Sequence, residues 1–81
     1  MEEKFHTSKG KLTRYALSCG YVEVEKVFNY EVTLRDNGGG GYHVRVWDGQ
    51  EKRIVVQDDF SSIEAARSYF SHQVMLLKEK K

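Results

Sequence analysis

The chain has 81 residues, of which 40% are hydrophobic and 31% charged, and a formal net charge of +1. These totals fit one small folded domain, leave no room for a second, and exclude a disordered chain or a global polycation. The lone cysteine, Cys19, rules out an internal disulfide, and no apolar run approaches a membrane span.

The opening Met-Glu-Glu-Lys-Phe-His has neither the basic start nor the apolar core of a signal peptide, so a cytoplasmic protein is expected. Charge divides as +2 over residues 1–20, −1 over 21–35, −2 over 36–60 and +2 over 61–81. Any nucleic-acid binding therefore has to come from a local cluster, because the phosphate-driven contribution scales with the basic groups placed at the backbone.

Residues 1–11 are polar and carry Gly10, which predicts a flexible N-terminal arm ahead of a single binding domain over 12–81. Leu12, Tyr15, Ala16 and Cys19 fall at helical spacing, and Gly20 follows where a left-handed cap would stand. A short helix is expected there, with a half-buried Cys19. From Tyr21 to Arg35 the even positions Val22, Val24, Phe28, Tyr30, Val32 and Leu34 are apolar, interrupted by Lys26. That period of two predicts one long strand, or two short ones split near Lys26.

Asp36-Asn37 and the glycines 38–41 supply a turn, and residues 42–48 return antiparallel. A second turn at 48–52 leads to a β-branched strand over 53–57. Beyond Phe60, Ser61 and Glu64 stand in a capping-box relation, with Phe60 placed to staple against Ala65. Ile63, Ala66, Phe70, Val74 and Leu77 then mark the buried stripe of a long helix ending in lysines. The expected fold is α+β: a three-stranded antiparallel meander packed on one long C-terminal helix, with a short N-terminal helix.

In that meander Tyr30, Val32, Leu34, Tyr42, Val44, Val46, Ile54 and Val56 face the long helix. The opposite face collects Glu31, Thr33 and Arg35, then His43, Arg45 and Trp47, then Arg53, Val55 and Gln57. Small sheets usually turn Thr, Lys and Glu to water, whereas an imidazole, a guanidinium and an indole in line form a surface suited to holding something. Arginine forks can pair with phosphates or guanine edges, and tryptophan offers a flat apolar anchor. A competing possibility is that Arg45 and Trp47 stack on each other, or that the N-terminal helix covers them.

Other chemistry is weakly signalled. The glycines 38–41 lack the Lys-Ser/Thr pair and the following helix of a phosphate loop. His6, His43 and His72 have no ligand spacing with Cys19, so neither a metal nor a nucleophile pair is expected. Asp58 and Asp59 are strand neighbours that point to opposite faces, which speaks against a paired-carboxylate site. No cofactor, no enzyme activity and no small-molecule substrate is expected.

Within residues 42–69, Arg45 and Trp47 lead through Phe60 to Glu64-Ala65-Ala66-Arg67-Ser68-Tyr69. In that order they resemble the DNA-binding domain of plant ethylene-response factors and the N-terminal sheet domain of some mobile-element integrases. The chain departs from the plant pattern by one residue fewer between Phe60 and Glu64, by Asp58-Asp59 in place of small residues, and by lacking a Tyr-Arg-Gly opening. The resemblance implies a sheet that inserts into the DNA major groove, with Arg45 and then Trp47 as the residues carried over.

The expected function is non-enzymatic binding of a nucleic acid, DNA ahead of RNA, through Arg35, His43, Arg45, Trp47, Arg53 and Gln57. The alternative is a stand-alone inhibitor or adaptor of the phage or mobile-element type that blocks a host protein, since Trp, Tyr and Arg also enrich protein interfaces.

Overall fold

The computed structural model describes residues 12–79, so the arm expected at 1–11 and the last two lysines lie outside the described residues. The order is α1 (Arg14–Ser18), β1 (Tyr21–Val27), β2 (Tyr30–Asp36), β3 (Tyr42–Asp48), β4 (Arg53–Phe60) and α2 (Ile63–Glu79). The strands form one antiparallel sheet in the order β1-β2-β3-β4, with α2 across one face. The α+β class and the C-terminal helix are as expected, but the sheet has four strands, not three.

The extra strand comes from the long alternation between Tyr21 and Arg35, which breaks at Phe28-Asn29, two residues beyond Lys26. Val27 pairs with Tyr30 across a two-residue tip, and Phe28 adopts φ +56°. A left-handed backbone costs a non-glycine residue about 1–2 kcal/mol. Here that residue is a phenylalanine 72% exposed to solvent.

The turn also resets which residues of β1 meet the core. Glu23 and Glu25 lie opposite Leu34 and Val32 on the α2 side of the sheet, while Val24 lies opposite Thr33 on the other side. Because β1 is an edge strand, those glutamates reach past the core to α2, where Glu23 meets Arg67 at 3.4 Å and Glu25 meets Lys78 at 3.2 Å. Such exposed pairs contribute about 0–1 kcal/mol each.

Val24 instead packs with Ala16 of α1, flanked by Leu12 and Tyr21. That contact explains why so short a helix persists, since two turns do not stand alone in water. Thr13 caps α1, its Oγ1 accepting the Ala16 N–H at 3.2 Å, and Gly20 ends it at φ +85°. A side chain at Gly20 would meet the Asp36 carbonyl at 3.0 Å. Cys19 is exposed, contrary to the half-buried position expected, because only Ala16 of this helix is buried.

On β2 and β3 the main core is as the alternation predicts. Val32, Leu34, Val44 and Val46 are fully buried beneath Ala66, Phe70, Val74 and Leu77. The cap of α2 is displaced by one residue from the capping box: Ser62, not Ser61, accepts the Ala65 N–H through Oγ at 3.1 Å. Phe60 is still paired to Tyr42 as the last residue of β4, so the chain needs Ser61 to turn before the helix can begin. The Phe60 ring packs on Tyr69, centroids 5.1 Å apart.

Candidate functional site

Strand β3 lies between β2 and β4, so each of its outward side chains has a neighbour on both flanks. His43 sits between Arg35 and Asp59, Arg45 between Thr33 and Gln57, and Trp47 between Glu31 and Ile54. Alternate residues on a strand repeat at about 6.8 Å, which sets the spacing of the row.

Four of the expected residues converge. Arg35, His43, Arg45 and Gln57 line one open polar cleft of about 270 Å³ with Tyr21 and Thr33. Thr33 forms its floor and is only 2% exposed. The His43 imidazole donates from Nδ1 to Asp59 Oδ1 at 2.8 Å. An ionised carboxylate only accepts, so Nδ1 must carry the proton and Nε2 is the nitrogen left for a ligand. Asp59 is largely exposed, whereas His43 is mostly sheltered.

Arg45 is the most constrained member. Its guanidinium carbon lies 5.9 Å from the centre of the Trp47 ring, within cation–π range. The contact between these two side chains that the alternation allowed is therefore present, at the outer limit of that range. Its Nε is buried and has no hydrogen-bond partner among the described residues. A buried donor without an acceptor costs about 1–3 kcal/mol. The arrangement holds a cation ready while leaving one of its donors unsatisfied.

Helix α1 does not cover this row. It packs on the outer side of β1 through Ala16 and Val24, which shelters the β1 margin and leaves β3 open. Beyond Trp47 the same face continues into a second, more apolar cleft of about 460 Å³, lined by Lys26, Phe28, Glu31, Trp47 and Gln50 among others. Lys26 and Glu31 approach to 4.0 Å there.

Arg53 does not join the row. The register steps from Val46↔Val56 to Trp47↔Ile54, so Val55 bulges out and every residue before it changes face. Arg53 thus lies opposite Asp48 on the other side, and Ile54, expected in the core, comes beside Trp47 and is 40% exposed. Phe28, Tyr21 and Asp59 belong to the face although sequence reasoning did not select them. An aromatic beside Asn29 where a strand pattern breaks was the available signal for Phe28. Pairing His43 with Asp59 required the register.

Asp48 ties this end of the sheet together. Its Oδ1 accepts from Asn29 Nδ2 at 2.7 Å, from the Gln50 N–H at 2.9 Å and from the Glu51 N–H at 3.1 Å. The Glu51 N–H foremost, with help from Gln50, Asn29 and the charge of Arg53, holds this carboxyl below the ordinary aspartate value against the opposing effect of burial.

Asp58 and Asp59 face opposite sides, lying opposite Val44 and His43 respectively. Among the described residues no group of three or more His, Cys, Asp or Glu could hold a metal ion, and no helix is long and apolar enough to cross a membrane. No family model, curated protein or solved structure matches the chain.

Proposed function

We propose that the chain is a non-enzymatic nucleic-acid-binding domain, DNA favoured, that takes phosphate on the outer face of its sheet. The observation that carries this reading is the polar cleft in which Arg35, His43 and Arg45 meet, with the Arg45 Nε buried and without a hydrogen-bond partner among the described residues. A phosphate oxygen at the cleft mouth would draw the guanidinium outward and supply the missing acceptor, in a charge-assisted bond about twice as strong as a neutral one. The resemblance over residues 42–69 adds support, because it names Arg45 and Trp47, both on β3, an interior strand of the sheet. Gln57 beside Arg45 adds an amide able to donate and accept.

The test is a fluorescence titration with short oligonucleotides at several salt concentrations. With two arginines at the backbone, the log–log slope of affinity against salt should lie between about −1.4 and −1.8. Arg45→Ala should weaken binding to every sequence and reduce that slope by about one. An absence of binding even at low salt would sink the reading.

A protein partner is the second reading, and the Trp47–Ile54 pair favours it. Those side chains form an apolar spot on a face whose His43 is already matched by Asp59. A host protein blocked by this surface would bind with little salt dependence and no need for an oligonucleotide.

A further inference from the structure

Phe28 is the residue the fold least explains. It occupies a turn position with φ +56° that glycine or asparagine would accept with little strain, it is 72% exposed, and its ring belongs to neither hydrophobic cluster. Exposing an aromatic ring and placing it in a disfavoured backbone both oppose folding. What the ring does have is a position: with Trp47 it lines the cleft at the end of the outer face. Trp47 in turn carries the Arg45 guanidinium, which lines the polar cleft next along β3.

We propose that the Phe28–Trp47 cleft seats an unpaired nucleobase, which makes the ligand of this face single-stranded. The inference rests on the nucleic-acid reading above: it keeps the phosphate contacts and puts a single strand in place of the duplex that the resemblance implies. Aromatic rings take a base of any sequence through its π-face, and basic groups beside them track the sugar-phosphate chain. Here the aromatic cleft and the arginine cleft follow each other along one strand, so a base on Trp47 leaves its phosphate directed toward Arg45 and the following one toward Arg35 and His43. At about 460 Å³ the aromatic cleft has room for one flat ring system. A base held inside a duplex presents only its edge to a protein and cannot enter between Phe28 and Trp47.

Trp47 is the only tryptophan in the chain, so its emission reports on the cleft directly. The full chain is titrated with a short oligothymidylate, an abasic oligomer of equal length and a duplex of equal length. The oligothymidylate should quench Trp47 and bind at least about tenfold tighter than either of the others. Phe28→Ala should remove most of that preference while leaving affinity for the abasic oligomer unchanged, and Phe28→Tyr should retain it. Thermal unfolding of Phe28→Ala should be no lower than wild type, which separates lost stacking from lost folding.

If abasic and thymidylate oligomers bind equally, through Arg45 and without effect of Phe28→Ala, the stacking cleft is overturned and phosphate binding survives. Preference for the duplex has the same consequence. If none of the three binds, both readings fall, and the exposed aromatics belong to a protein interface.

Discussion

Arg45 and Asp48 lie three residues apart on one strand and do opposite work. Arg45 approaches the Trp47 ring with no acceptor for its Nε among the described residues, whereas Asp48, 6% exposed, has three donors on one oxygen. Arg45→Ala should leave the midpoint of thermal unfolding nearly unchanged while weakening binding; a large fall in the midpoint would show the guanidinium to be structural. For Asp48 the sign follows from its depressed folded value. The unfolded carboxyl takes up a proton first, so the stabilisation is present above the ordinary aspartate value of about 3.9 and is lost as pH falls through the lower folded value. Asp48→Asn should therefore melt below wild type at neutral pH, with the gap closing in acid. A gap independent of pH would remove the carboxylate from the account. His43, Arg45 and Trp47 were legible as one face because period two needs only the strand itself, whereas Gln57, on β4, also needed the antiparallel pairing of the two strands. The role of Asp48 was not, since its partners Asn29, Gln50 and Glu51 come from two separate turns.

At the level of elements, local signals located each segment and long-range pairing set its boundaries. Residues 61–64 offer two serines ahead of a helix, and the Ser61–Glu64 spacing favours the first, but β4 holds Phe60 in the sheet and passes the cap to Ser62. Ser62→Ala should cost about 1 kcal/mol in chemical denaturation and Ser61→Ala much less. Equal losses would restore the capping box. The bulge at Val55 was hidden for a different reason. It carries no glycine, and the run Ile54-Val55-Val56 looks the same whether the strand is regular or not. Its effect is large, because one extra residue sends Arg53 away from the other basic groups. The exposed edge strand β4 also carries Asp58 and Asp59 just before its last residue, Phe60, and a bulge with charged residues on an edge strand is a common guard against edge-to-edge association.

Across the whole molecule, the class was legible and the strand count was not, because the tip at Phe28-Asn29 lacks the usual Asn-Gly or Asp-Gly chemistry. The closed core is small, and Leu34 is its largest fully buried side chain. Leu34→Ala should cost about 3 kcal/mol. Total stability for this length is expected near 4–12 kcal/mol. The variant should therefore unfold at a clearly lower denaturant concentration, and an unchanged midpoint would contradict the placement of the core.

The strand order β1-β2-β3-β4 bears on how the molecule comes to be folded. Every sheet pairing is a hairpin between chain neighbours, so no strand must wait for a distant segment before it finds its partner. The chain also contains no proline, and thus no prolyl bond whose slow isomerisation could delay part of the population for tens of seconds. Refolding followed by stopped-flow emission of Trp47 should be a single exponential with no slow tail. That outcome would mean that each molecule reaches the native sheet by the same closure of adjacent hairpins beneath α2.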